Sequence, residues 1–551
     1  MFRATPPREV ASVMSEQQFP HLSGKLPQCL AGILDCQPAD VADRLALVEP
    51  GGTWTYRELA AAVQHSQSWL RDCGVRPGDR VVLVCENCRA FVALFFAVAG
   101  IGAWPVLVNA RLSAGDLDQI RDHSGARLVL YMVAASPQAM KHAQRHGAQI
   151  VDRQSVGRIA IGPVNQHAVP EPPESEPSND IAAMIYTSGT TGTPKGVMLS
   201  HRNLLFMAGG SNWVRSLTPQ DRLVGVLPMS HAVGLSVVLL GSLLSGATLY
   251  LCSRFDPAAM LELLDREKIT ILLSSPAMFA LLSEYAKLKG ASSLHFPALR
   301  VISASGAPLD PVVKARTEGL FGMVLHNGYG VTECSPTIAL TRIDAPRTDT
   351  SVGAIFPGVE AKLVDADGNT VNAGQVGELR VRGPNVMRGY YRSPQETRSA
   401  IDPDGWFNTR DLARIEEGNL FIVGRTKDLI VRFGFNVYPA EVEAVLNSHP
   451  AVVRCAVIGR TAAAEGGEEV VAFVEKKSDC ELGPTELGKF AAKHLTPYKQ
   501  PTVYIFLESL PLTPTGKVMK DALARMLSAG AATSESLDYS GTSISVGPSA
   551  E

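Results

Sequence analysis

Residues 186–196 read "YTSGTTGTPKG" and follow the apolar run "IAAMI" at 181–185. The segment holds three glycines, one proline, one lysine and a crowd of Ser and Thr hydroxyls, with no acidic group. Hydroxyls, free backbone N–H groups and an ammonium together suit a polyanion, and glycine lets the backbone approach it closely. The phosphate loop of nucleotide-hydrolysing proteins, G-x-x-x-x-G-K-[ST], uses the same chemistry, but its spacing fails here. Lys195 follows Pro194, and Gly196 stands where that motif needs Ser or Thr. Pro194 also removes a donor and disfavours a helix through Thr193. The reading is a strand–loop–strand that folds over a triphosphate. Composition alone leaves a solvated turn as the alternative.

At 551 residues the chain exceeds one core and should be multidomain. Fifty-one basic against 54 acidic side chains give a net charge of −3, so no footprint for nucleic acid or an anionic membrane surface is present. Small molecules are the expected partners. Nine cysteines are scattered without framework spacing, which fits reduced thiols and a cytoplasmic location. Cys85 and Cys88 have CxxC spacing but no second pair, so a strand end running into a helix is preferred to a metal site. The uncharged run 90–110 contains Gly100, Gly102, Pro105 and Asn109 and reads as a buried helix, a turn and a strand, not as a transmembrane segment.

The expected fold is α/β: a large N-terminal domain of α/β sheets with a small antiparallel β unit, then a small α+β C-terminal domain, whose mobility is implied by the resemblance given below. Residues 1–24 read as a loose tail and 25–424 as the large domain. Within it, helix and strand patterns alternate from Thr53 to Val133. The Pro-, Glu- and Ser-rich 155–179 reads as an exposed connector, and 351–424 as the β-rich unit with a turn at Asp367-Gly368. Residues 425–527 interleave short strands with amphipathic helices, and the apolar-poor 528–551 reads as disordered.

Four further segments follow the opening loop in order: "NGYGVTE" (327–333), "GWFNTRDLA" (405–413), "GRTKDLIVRFGFNVYPAEVE" (424–443) and "PLTPTGK" (511–517). Together they closely resemble the adenylate-forming superfamily of acyl-CoA synthetases, non-ribosomal adenylation domains and luciferases. The resemblance covers roughly Thr53 to Leu527. It implies a two-step reaction in which a carboxylic acid and Mg-ATP give acyl-adenylate and pyrophosphate, and a thiol then displaces AMP.

The resemblance also implies roles. Thr187, Ser188, Gly189, Thr190, Thr191 and Lys195 would cradle the β- and γ-phosphates of ATP. Gly306 and Ala307, in "SASGAP", would wall the adenine, with Ser305 standing where glycine is frequent. Asn327 and Gly328 would line the nucleotide site, Tyr329 would stack on adenine, and Thr332 would meet the α-phosphate. Glu333 would hold Mg2+, Asp411 the ribose hydroxyls, and Arg425 ribose or phosphate. Lys517 would bridge the attacking carboxylate and the α-phosphate. Lys427 would be the hinge about which the C-terminal domain rotates, presenting Gly434 and Phe435 to coenzyme A. Arg432-Phe433 departs from the small residues that often precede that glycine.

His231, in "LPMSHAVGL", falls at the mouth of the acyl pocket by the same resemblance; a packed core histidine is the bland reading. The uncharged run after it favours an apolar acyl group, a medium- or long-chain fatty acid or an aromatic acid. Free coenzyme A is the expected acceptor in a cytoplasmic enzyme, with weak membrane association and homodimerisation left open. A stand-alone enzyme loading a carrier protein and a luciferase-like oxidase are the alternatives. A non-catalytic binder would be expected to have lost Lys517 or Glu333, and both are present.

Overall fold

A computed structural model describes residues 26–188, 194–432, 435–461, 468–477, 480–513 and 516–528, with short strands at 535–537 and 543–545. Two large sheets organise the N-terminal part. One orders its strands as Gly389–Tyr390, Pro194–Ser200, Ile181–Ser188, Trp104–Asn109, Arg80–Cys85, Leu128–Tyr131, Gly157–Ile161 and Gln149–Arg153. Its central strands are parallel. In the other, Leu45–Glu49, Thr248–Leu251, Arg222–Gly225, Ile271–Ser274, Val301–Ala304 and Leu325–Gly330 run parallel. Antiparallel strands close both of its edges.

The helix Arg89–Gly100 packs against strands of both sheets. That position explains its sequence: with apolar surface on either side it has no solvent face, and Phe91, Phe95 and Phe96 are fully buried. Each such ring contributes roughly 2–3 kcal/mol of burial. The run 90–110 is therefore a core helix, a turn at Gly102 and the strand Trp104–Asn109. Among the described residues no helix is long and apolar enough to cross a membrane. The preceding helix, Tyr56–Asp72, starts at a Thr55–Glu58 capping box and buries Leu59, Val63 and Leu70.

Two readings of order need correction. The stretch 155–179 is not wholly an exposed connector, because Gly157–Ile161 is a strand paired with Leu128–Tyr131 and Gln149–Arg153. The chain beyond it lies along the sheet, its carbonyls taken by buried arginines: Arg127 donates to Asn165 O at 2.9 Å and Arg80 to Val169 O at 2.9 Å. Proline-rich backbone cannot complete a strand ladder, so side-chain donors satisfy it instead. In the C-terminal stretch, Glu535–Leu537 and Ser543–Ser545 add to the sheet edge beside Val503–Leu507. Edge addition relies on main-chain hydrogen bonds and needs little apolar content.

Residues 360–425 form a four-stranded antiparallel sheet, with Gly368 at φ +86° in the expected turn. Beyond it, the hairpin Ile430–Arg432/Phe435–Val437 and the sheet built on Val452–Thr461, Glu468–Lys476 and Val503–Leu507 pack with helices Pro439–Asn447 and Pro484–His494 around a separate core. Gly516 of this C-terminal part presses on the N-terminal part. A Cβ on Gly516 would come within 2.7 Å of Ala277 Cβ, so close approach and a φ of +85° both require glycine there.

Candidate active site

The opening loop joins two antiparallel strands, in register Tyr186↔Gly196, Thr187↔Lys195 and Ser188↔Pro194. Gly189, Thr190 and Thr191, and the Ser188 side chain, lie outside the described residues. Lys195 Nζ pairs with Glu396 Oε1 at 2.9 Å and sits 5.3 Å from the centre of the Tyr390 ring. Tyr390 pairs with Val197 on the hairpin's outer edge and donates its hydroxyl to Glu333 Oε1 at 3.0 Å. One tyrosine thus ties the lysine of the phosphate hairpin to the expected Mg2+ carboxylate. Neither Tyr390 nor Glu396 was singled out from the sequence, since 190 or more residues separate them from the loop and nothing local marks them.

Tyr329 and Gly330 end the strand Leu325–Gly330, and Thr332 and Glu333 lie in the 3-10 turn that follows. A Cβ on Gly330 would lie 2.0 Å from Pro336 O, so the sharp exit demands glycine. The neighbouring strand Val301–Ala304 pairs Ala304 with Asn327, and Gly306 (φ +87°) and Ala307 emerge beside Gly328 and Tyr329. Asn327 is buried, its amide donating to the carbonyls of Thr350 and Ser351. Its side chain braces that loop. Burial raises the pKa of Glu333, opposed by its own backbone N–H, the Tyr390 hydroxyl and the Arg425 charge.

Asp411 is nearly inaccessible and faces Arg425 across the antiparallel pair. Arg425 Nε donates to Asp411 Oδ1 at 2.9 Å, and the Tyr329 hydroxyl donates to Oδ2. Burial, reinforced by the Asp411 charge, holds the Tyr329 phenol well above its ordinary pKa, so it serves as a neutral donor. Lys517 stands in a tight loop closed by Thr513 N donating to Lys517 O at 2.8 Å and Lys517 N donating to Thr513 Oγ1 at 3.1 Å. Crowding by protein and the Arg425 charge lower its pKa, opposed by Asp411 and Asp428. The Lys517 charge is thus within electrostatic reach of Arg425, Asp411 and Asp428.

Just before Lys427, Thr426 Oγ1 donates to Glu378 Oε1 at 3.1 Å and to Arg410 O at 3.2 Å. Lys427 pairs with Asp521 of the C-terminal helix Lys520–Ser528 at 3.2 Å. Gly434 lies outside the described residues. Phe435 is 56% exposed and stacks on Tyr498, ring centres 4.7 Å apart. Arg432 is buried, donating to Gln500 O at 2.8 Å.

His231 follows Ser230, which lines a cavity of about 390 Å³, and precedes Val233, which lines a second, much smaller one. The first lies between the N-terminal part and Gly516, with Arg111 and Arg254 on its wall; both pair with Glu86, at 2.6 and 3.6 Å. The second lies behind Gly328 and is lined by Arg215, which the sequence reading did not single out. Its only linear signal is a lone charge after the uncharged 203–214. The His231 ring is open to the cleft, yet the surrounding protein lowers its pKa, so it is neutral at pH 7.

Among the described residues no three His, Cys, Asp or Glu side chains gather as a metal cage. Glu333 alone still fits a Mg2+ carried in on a triphosphate, since that ion keeps phosphate and water oxygens as most of its ligands.

The AMP-binding enzyme family matches residues 34–391, and the AMP-binding enzyme C-terminal domain matches 441–517. A feruloyl-CoA synthase from Amycolatopsis sp is 33% identical over 88% of this chain and 97% of its own length. A 4-coumarate--CoA ligase 3 from Oryza sativa subsp. japonica is 31% identical over 89% of this chain and 91% of its own. The crystal structure of ATP-bound MatB from Rhodopseudomonas palustris superimposes with a TM-score of 0.79 at 28% identity, covering 91% of this chain and 98% of that one. With both family segments matched in order and relatives aligned over nearly nine-tenths of its length, the chain belongs to the AMP-binding enzymes of the adenylate-forming superfamily and is an acid–thiol ligase of the acyl-CoA synthetase type.

Proposed function

We propose that the protein joins an aromatic carboxylic acid to free coenzyme A through an acyl-adenylate. In the first half-reaction a carboxylate oxygen attacks the α-phosphorus of ATP, an acyl–phosphate bond forms, and the Pα–O–Pβ bond breaks to release pyrophosphate. The acid and the triphosphate repel each other, so the site must neutralise charge where they meet. Lys517 does so at the attacking oxygen and the α-phosphate, Lys195 at the β- and γ-phosphates. Glu333 takes the Mg2+ that accompanies the triphosphate. Asp411, oriented by Arg425 and Tyr329, receives the ribose hydroxyls.

In the second half-reaction the coenzyme A sulfur attacks the acyl carbonyl, a thioester forms, and AMP leaves with the electron pair. Lys427 is the hinge for the change between the two, because Thr426 is fastened to the N-terminal side while Lys427 bonds to Asp521. The cavity lined by Arg111, Arg254 and Gly516 gives coenzyme A a positively charged approach for its phosphates.

The seating of Gly516 against Ala277, which brings the neighbouring Lys517 within electrostatic reach of the Asp411–Arg425 pair, carries this reading. The aromatic preference is supported by the feruloyl and 4-coumarate relatives. A pyrophosphate-release screen over aromatic and fatty acids, with and without coenzyme A, tests it. Aromatic acids should release pyrophosphate and, with coenzyme A, yield acyl-CoA detectable by mass spectrometry. Turnover confined to fatty acids, or acyl-AMP accumulating despite coenzyme A, would overturn it.

A further inference from the structure

We propose that Arg215 reads a second carboxylate on the acid, at the end of the substrate remote from the reacting carboxyl group; the proposal rests on the acid–CoA ligase reading. Arg215 is the last residue of the helix His201–Arg215 and only 8% exposed. Its guanidinium makes one hydrogen bond, from Nη1 to Ser211 Oγ at 2.9 Å, and no carboxylate among the described residues pairs with it. Other buried arginines of this chain are treated differently. Arg80 donates to the carbonyls of Gly78, Ser124, Gly125 and Val169. Arg127 meets Asp79 and the carbonyls of Asn165 and Ala168. A buried guanidinium with a single hydroxyl partner lacks the donors' usual compensation.

The cavity supplies the context. Arg215 shares its lining with the hydroxyl residues Ser303, Ser305 and Thr337 and with the apolar Val233 and Leu273. None of those three hydroxyls makes a side-chain hydrogen bond to a described residue. Gly328, on the same wall, directly precedes Tyr329. The proposal places the reacting carboxyl on the Lys517 side and the far carboxylate at this cavity of about 20 Å³ beside the guanidinium.

Among the described residues no anion is left free to neutralise Arg215 first. Glu318 is committed to Lys314 and to the N–H of Leu325. His326 is held neutral at pH 7, its pKa lowered to about 4 by burial and by the Arg215 and Lys314 charges. Burial lowers the Arg215 pKa only to about 10, so the group stays cationic. A planar guanidinium flanked by free hydroxyls matches a carboxylate, which accepts two parallel N–H bonds and further O–H bonds. A neutral alkyl or aryl end would strip the cation of its remaining solvent and give nothing back.

Matched acids separate this proposal from the reading beneath it. Pyrophosphate release is measured for 4-carboxycinnamate against 4-carbamoylcinnamate and for glutarate against glutaramate, with wild type and Arg215→Met. Wild type should favour the diacid of whichever pair it accepts by at least ~100-fold in kcat/KM, as expected of a site built to bond a substrate group. Arg215→Met should reverse that preference and leave the melting temperature equal or higher, since it removes a buried charge with no protein counter-ion. Equal use of diacid and half-amide by wild type would overturn the Arg215 proposal while leaving the ligase reading intact. So would a variant that melts lower and loses both substrates alike, the behaviour of a structural arginine. No pyrophosphate release with any acid, from a folded protein that binds ATP, would overturn both.

Discussion

The cleft has two ends built on different plans. At the nucleotide end, charged groups come in mutually restrained sets: Tyr390 links Glu333 to the Lys195 hairpin, and Arg425 and Tyr329 together hold Asp411. At the proposed acyl end the polar groups are left unrestrained, with the Arg215 guanidinium held by one hydroxyl and the Ser303, Ser305 and Thr337 hydroxyls without a partner among the described residues. Preorganised groups suit a ligand that never changes, whereas uncommitted groups in an apolar wall suit a ligand that must be chosen. Variants at the nucleotide end should therefore scale every acid's rate by a common factor. Those at the acyl end should reorder the acids.

The largest effect is expected at Lys517. Replacing it with alanine removes the charge at the attacking oxygen and should lower acid-dependent pyrophosphate release by ~100- to 1000-fold or more, about 3 kcal/mol or above. Thiolysis of supplied acyl-adenylate should stay within a few-fold of wild type. A loss that differs widely from acid to acid would break the comparison, because the lysine would then be reading the substrate.

Glu333→Gln comes next, with a drop of ~100-fold in Mg2+-dependent pyrophosphate release for all acids. It also carries a sign. Burial raises this carboxyl's pKa, so the folded chain binds the proton more tightly than the unfolded chain does. That stabilisation is full below the unfolded value of about 4.3 and is lost as pH rises through the folded value. Glutamine never ionises, so without nucleotide the variant should melt higher than wild type at pH 7. A calorimetric scan showing it melt lower would mean that the carboxylate already has a stabilising partner in the resting protein.

The smallest effect belongs to His231→Ala, between the two cavities. Individual acids should gain or lose ~10-fold or less in kcat/KM, in different directions, as expected for a change of packing in a pocket. Because the ring is neutral at pH 7, the wild-type profile should show no loss of activity from its deprotonation between pH 7 and 8. A uniform loss across the acid panel would move His231 to the nucleotide end.

How much of this was legible in the sequence follows from where each interaction is made. The phosphate hairpin could be read because Gly, Pro, Ser and Thr decide a turn within a few residues. Helix Arg89–Gly100 was legible as buried, since no residue in 90–110 is charged, but the sheets on its two sides were not. The reading of 155–179 as wholly a connector missed the strand Gly157–Ile161, and nothing local reports that Arg80 and Arg127 donate to the carbonyls of the proline-bearing stretch beyond it. Tyr390, Glu396 and Arg215 were missed because each acquires its meaning from residues far along the chain.

By itself the sequence determined the α/β class, the order of the motifs and the chemistry each can support, because those rest on local backbone preference and on residue type. Only the tertiary structure decided which charges are neutralised inside the protein and which are left for a ligand. Lys195 has Glu396 and Asp411 has Arg425, while Arg215 has a single serine hydroxyl. That difference is one of distance and burial: a charge's cost depends on what lies within a few ångströms of it in a medium of low dielectric, and chain order does not encode that spacing.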